Sequence, residues 1–220
     1  MAVARWLILV LALLQFGIPA RAEGDAIRGE PNAPVTILMF SAFRCPYCAE
    51  ASRTLAELQA KYPGRIAIIF KHFPLSERPR DILPHLAAEA ASEQGGFWKM
   101  HDLIFANQTN PLERPELEGF ARQAHLDIRS FKRSLDQPAA RARVAADQAE
   151  ARALKVVSVP TFYVDGFKLE GLQSREVFEQ IIEFRLAALP GNSASGSDGL
   201  RAVINPDDNQ LPAFLRAQSR

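Results

Sequence analysis

The chain has 220 residues, 48% of them hydrophobic and 23% charged, with 26 Lys and Arg set against 25 Asp and Glu. This is the composition of a globular protein long enough to bury one proper core. The even charge balance, with no basic stripe and no acidic block, argues against a nucleic-acid partner and against metal buffering.

Residues 1–22 read as a signal peptide. Arg5 supplies the positive end, Trp6 to Ile18 is apolar except at Gln15 and Gly17, and Ala20-Arg21-Ala22 offers a cleavage site before Glu23. The apolar run falls short of the ~20 residues of a membrane helix, so cleavage is expected rather than an uncleaved anchor. Cleavage removes Arg5 and Arg21, leaving 24 basic against 25 acidic residues.

Val35 to Phe40 is an apolar, β-rich run expected as a buried central strand. A turn from Ser41 to Arg44 leads to Cys45-Pro46-Tyr47-Cys48, followed by a helix over Ala49 to Lys61 with Ala51, Leu55 and Leu58 on one face. Pro63-Gly64 ends it, and Ile66 to Phe70 is the next strand. Strand, helix and strand make a right-handed parallel crossover. Five helical stretches follow: Leu83 to Gln94, Phe97 to Asn107, Pro115 to His125, Ile128 to Leu135 and Pro138 to Lys155. Thr161 to Val164, the turn Asp165-Gly166 and Lys168 to Glu170 form a hairpin. Ser174 is placed to cap a last helix ending near Leu189. The expected fold class is α/β, a thioredoxin fold with an inserted helical subdomain. Its core covers 29–80 and 156–189 and its insertion 81–155, with a flexible tail at 190–220 that is too poor in apolar residues to fold alone.

The two cysteines are the only ones in the chain and lie three positions apart. A disulfide closing so small a loop removes little entropy from the unfolded chain, so stapling explains it poorly. In an oxidising compartment such a tight pair points to chemistry. At a helix start, unpaired N–H groups and partial positive charge stabilise a thiolate, lowering the pKa of the first cysteine. Cys45, expected to be exposed, is the candidate nucleophile, and Cys48, one turn on, is the candidate resolving cysteine. Pro46 suits the first helical position. A zinc site needs further ligands, and His72, His85, His101 and His125 have no finger-like spacing, so no metal or other cofactor is expected.

Three stretches resemble the DsbA-like family of the thioredoxin superfamily: Asn32 to Ile37, Phe40-Ser41-Ala42-Phe43-Arg44-Cys45-Pro46-Tyr47-Cys48 and Phe70-Lys71-His72-Phe73-Pro74-Leu75. So do Gly96-Phe97-Trp98-Lys99-Met100-His101-Asp102 and Val159-Pro160-Thr161-Phe162-Tyr163-Val164-Asp165-Gly166. The resemblance implies action on thiols of exported proteins in the bacterial periplasm, with a membrane redox partner for recycling. It also implies that Pro160 is cis and faces the cysteines, so that Val159 offers its backbone to an extended substrate, with Pro46 and Tyr47 beside it. Sequence alone, without the resemblance, favours a trans proline opening the strand Thr161 to Val164.

Two departures from the family stand out. Met39 and Ala42 occupy positions, six and three before Cys45, where the family often carries acids that handle the second thiol's proton. Deprotonation of Cys48 then rests on water or on a neighbour such as Lys71. Tyr47 replaces the histidine of the strongly oxidising members, so a less oxidising protein is expected. His72 is read as a polar cap and His101 as a packing residue. Phe97, Trp98, Met100, Leu103, Ile104 and Phe105 are read mainly as core, with part of the set free to line an apolar groove. Arg141, Arg143, Arg152, Asp147 and Glu150 are read as a solvated helix face. The leading function is a protein disulfide oxidoreductase, oxidase or isomerase. An envelope reductase and a non-catalytic client-binding module are the alternatives. Glu23 to Pro34 is too short for a dimerisation domain, so a monomer is expected.

Overall fold

A computed structural model describes residues 26–189; the expected signal peptide and the expected tail at 190–220 lie outside the described residues. Five strands make one sheet: β1 (Ala26–Gly29), β2 (Val35–Ser41), β3 (Ile66–His72), β4 (Thr161–Val164) and β5 (Phe167–Glu170). They lie in the order β1-β3-β2-β4-β5. Only β2 and β3 are parallel, joined by α1 (Pro46–Lys61); the other neighbours are antiparallel. Between β3 and β4 come α2 (Pro79–Ser92), α3 (Phe97–Ala106), α4 (Arg114–Gln123), α5 (Ile128–Asp136) and α6 (Pro138–Ala153), and α7 (Arg175–Ala187) closes the described chain.

The central strands are apolar along their length because both faces are covered. Leu38, Phe40, Ile69 and Tyr163 pack on one face with Ala151 of α6 and Val156. On the other face Met39 lies near Leu55 of α1, and Phe162 meets the ring of Phe178 of α7 at 5.0 Å. A second cluster gathers Phe43, Phe70, Phe97, Met100 and Ile104 with residues of α2 and α4 to α6. Trp98, Leu103 and Phe105 pack, partly buried, against the same cluster, so the set contributes to the core as expected.

The structure differs from expectation at several ends. β1 is new: four residues are too few to show a period, and Arg28 secures the strand through Asp102 at 2.5 Å and the Trp98 ring at 4.2 Å. β3 continues past Phe70, because Lys71 and His72 pair with Phe40 and Ser41 of β2 and find buried polar partners. α1 starts at Pro46 and α2 at Pro79, where a proline at the first helical position lacks only an N–H that has no helical partner. Ser174 holds the N-cap position of α7, but its hydroxyl does not cap the backbone. In the β4–β5 hairpin both Asp165 and Gly166 have positive φ, 45° and 92°, which suits Asp-Gly. Asp165 also accepts from the Thr36 N–H at 2.9 Å and pairs with Arg185 at 3.0 Å, tying the turn to β2 and α7. No helix among the described residues is long and apolar enough to cross a membrane.

Candidate active site

Cys45 is the N-cap of α1, with extended backbone at φ −92° and ψ 115°, and Pro46 is the first helical residue. This geometry turns the first-turn N–H groups toward the sulfur. The Cys48 N–H donates to Cys45 Sγ at 3.3 Å. On its other side the Cys45 thiol donates to the Val159 carbonyl at 3.7 Å, immediately before a cis Val159–Pro160 bond. Both cysteines are free thiols. Cys45 is only 6% exposed, contrary to the expected open sulfur, because the Val159 strand entry lies against it; Cys48 is fully buried. What stands out in solvent is Tyr47, 62% exposed, beside an exposed Pro46. Val159 is half-buried and Pro160 buried, so the structure brings Cys45, Cys48, Val159 and Pro160 together under the exposed Pro46-Tyr47 pair.

The two thiols are pushed apart in acidity. The Cys45 pKa falls to about 7, chiefly through its hydrogen bond with the Cys48 side chain. Burial opposes this, and the backbone N–H groups of Cys48 and Tyr47 assist it. Burial pushes the Cys48 thiol strongly upward, as does the same bond with Cys45, while the Ala42 backbone and Ser41 hydroxyl pull weakly the other way. A group with a pKa near 7 is roughly half thiolate at neutral pH, and the thiolate is the nucleophilic form. The pair therefore holds one sulfur able to attack a disulfide, and a second, protonated one beside it.

Met39 and Ala42 are buried and apolar, so these two positions bring no carboxyl to Cys48. Nor is Lys71 turned toward it. Strand alternation sends Lys71 to the α6 face, where Nζ pairs with Asp147 at 3.6 Å and Glu150 at 3.0 Å. Asp147 is buried and also meets Arg143 at 3.5 Å, so it departs from the solvated face expected, whereas Arg141 and Arg152 are exposed as expected. His72 ends β3 in a structural polar role, as expected, with no hydrogen bond to the thiols among the described residues. It is buried, with its N–H donating to Asp147 at 2.9 Å, Nδ1 bonded to His85 Nδ1 at 2.8 Å and Nε2 to Glu89 at 2.7 Å. The Phe43 ring, two residues before Cys45, lies 4.8 Å from the His85 ring of this network. His101 packs within the aromatic core against Phe105 and Trp98, and burial brings its pKa down to about 4.

Two residues outside the motif shape the site. Gln108, in the loop after α3, donates through Nε2 to the Phe43 carbonyl at 2.7 Å and the Cys45 carbonyl at 2.8 Å. Arg44 reaches back to the carbonyls of Asn110, at 2.8 Å, and Pro111. The loop after α3 thus clasps the cysteine loop through Gln108, Asn110 and Pro111. Neither role has a sequence signal, since Asn107-Gln108-Thr109-Asn110 reads only as a polar turn.

Known proteins share this fold. A family model described as Thioredoxin matches residues 21–184. The Na(+)/H(+) antiporter NhaA 3 of Salinispora tropica is 34% identical over 160 residues, 72% of this chain but 24% of that protein. The chain spans about a quarter of the length of the curated relatives it matches. In fold it is similar to a thioredoxin-like oxidoreductase from Silicibacter pomeroyi, with a TM-score of 0.69 at 21% identity over 76% of this chain and 95% of that one. It is also similar to alpha-DsbA1 of Wolbachia pipientis, at 0.66 and 19%, over 76% and 92%. The matched region carries the N-cap thiol, its buried partner and the cis-proline turn together, and on that basis the chain belongs to the thioredoxin family.

Proposed function

We propose that this protein is a thiol–disulfide oxidoreductase that exchanges disulfides with exported proteins in the bacterial periplasm, with Cys45 as nucleophile and Cys48 as resolving cysteine. One observation carries the reading: Cys45 caps the start of α1 with the Cys48 N–H donating to its sulfur at 3.3 Å and the Val159 carbonyl 3.7 Å away, while Cys48, one turn on, is fully buried. In the donating direction, a client thiolate attacks Cys45 Sγ and breaks the Cys45–Cys48 bond. Cys48 leaves with the electron pair and takes a proton. A second client thiolate then attacks the client sulfur of the mixed disulfide and expels Cys45 as a stabilised thiolate. The client loses two electrons and the protein gains them, so a membrane redox partner must remove them for turnover. An extended client segment pairs with the Val159 backbone in the way strands add to an open edge. The protein acts as a monomer, without metal or other cofactor.

Donor and isomerase directions follow from thiolate stabilisation, which favours the reduced protein and so drives oxidation of the client. A reductase is the second reading. It draws on the Cys45 value itself, about 7, which equals that of thioredoxin and lies far above that of the strongest disulfide donors. Equilibration in graded glutathione buffers separates the two. A potential above about −160 mV marks a donor, and one near about −250 mV a reductase. Failure to exchange at any ratio overturns the catalytic reading and leaves a client-binding module.

A further inference from the structure

One residue from Cys45 opens a cleft of about 910 Å³ between the loop after β3, the start of α2 and the Pro111–Pro115 segment. Its floor is apolar, with Ile82, Leu86 and Leu112 buried. Five arginines line it, namely Arg44, Arg78, Arg80, Arg114 and Arg141, against three acids, Glu77, Asp81 and Glu113. Arg114 is paired with Asp136, so the positive excess at the rim is narrow and is carried mainly by Arg78, Arg80 and Arg141. Asp81 is buried, bonded to Ser76 and paired with Arg78 at 3.1 Å and Arg80 at 3.6 Å, while those two arginines are 62% and 66% exposed. Glu77 accepts from Gln148 at 3.0 Å. Arg141 is exposed and has no carboxylate partner among the described residues. Leu75, 51% exposed, also lines the cleft.

We infer that this cleft receives the part of a client chain next to its reacting cysteine, and that it selects extended segments carrying acidic side chains. The inference rests on the exchange reading above and names the substrate class for that site. Arginine forks grip carboxylates with directed, charge-assisted bonds, and an apolar floor accepts the intervening side chains. The volume lies at the upper end of the ~300–1,000 Å³ of ordinary small-molecule pockets, which suits several residues better than a lone anion. A strand rises roughly 3.3 Å per residue, so acidic residues two to five positions from the client cysteine span roughly 7–17 Å. The positive excess also raises the encounter rate of such segments, an effect that salt removes.

The test separates binding from chemistry. A fluorescein-labelled peptide with Ser in place of the cysteine and three Glu on each side is titrated with the protein, beside the matching Gln peptide. The Glu peptide is expected to bind at least tenfold tighter at low salt. That preference should vanish in 0.5 M NaCl and in the double variant R80Q/R141Q, whose exchange with 2-mercaptoethanol stays at the native rate. Equal binding of the two peptides overturns the inference, as does a preference that survives in R80Q/R141Q. So does affinity confined to vesicles containing anionic lipid. Loss of exchange with 2-mercaptoethanol in the native protein sinks the catalytic reading instead, whatever the peptides do.

Discussion

Two buried polar regions lie close together in the chain and are built in opposite ways. At the end of β3, Lys71 and His72 are enclosed with a full set of side-chain partners: Asp147 and Glu150 for the lysine, Asp147, His85 and Glu89 for the histidine. At the start of α1, Cys45 and Cys48 bond among the described residues to each other and to backbone groups, with Met39 and Ala42 buried and apolar. Dense side-chain partners make the first region a brace, although His85 Nε2 is buried without a hydrogen-bond partner among the described residues. Sparse, backbone-borne partners leave the second free to change bonds. The comparison teaches that proximity alone does not recruit a charged group to the chemistry: strand alternation puts Lys71 on the wrong face.

The largest effect tests the reactive region. C45S should abolish exchange outright, whereas C48S should still form a one-to-one mixed disulfide with glutathione that does not resolve, as mass spectrometry of the intact protein would show. Trapping through Cys48 in C45S would reverse the assigned roles.

Next, K71M should cost about 3–5 kcal/mol in urea unfolding, because it leaves the buried Asp147 carboxylate short of a partner. The Cys45 pKa, followed by thiolate absorbance, should stay near 7 in the same variant. If it moves, the two regions are coupled and the comparison fails.

A subtler test is the slope of the reduction potential with pH. Below the Cys45 pKa of about 7, reduction takes up two protons with two electrons; above it Cys45 stays ionised and only Cys48 takes one. At about 30 mV for each tenfold change in the equilibrium, the potential should fall by roughly 60 mV per pH unit on the acid side and by roughly 30 on the alkaline side. A single slope through pH 8.5 would mean that Cys45 is not acidified.

The smallest effect concerns the clasp. Q108A removes two hydrogen bonds and should cost about 1–2 kcal/mol. It should also raise the Cys45 pKa, since the carbonyl of Cys45 would lose the donor that quenches its negative end beside the thiolate. Lost stability with an unchanged pKa would reduce Gln108 to a structural tie.

The legible parts of this protein were those that short-range patterns encode. β2, α1 and the hairpin at Asp165-Gly166 announce themselves through apolar runs, a helical face and a turn that demands positive φ. The thiol pair was legible because its spacing leaves little use except chemistry. What escaped is long-range. Gln108 reaches Cys45 across 63 positions, and His72 meets Asp147 across 75. Asp147 looked like a surface residue because its helix carries charges on several sides, and only the packing of α6 on the sheet decides which of them are buried. β1 was missed for its brevity, and the burial of Cys45 because the strand entry that covers it comes more than a hundred residues later.

The central claim is that Cys45, and not Cys48, is the reactive thiol, acidified by its place at the start of α1. Alkylation of the reduced protein with limiting iodoacetamide between pH 5 and 10, with peptide mapping of the product, tests it directly. Modification is expected at Cys45 alone, with a rate that rises through a midpoint near 7. Modification at Cys48, or a midpoint near that of an ordinary thiol at about 8.5, would contradict it.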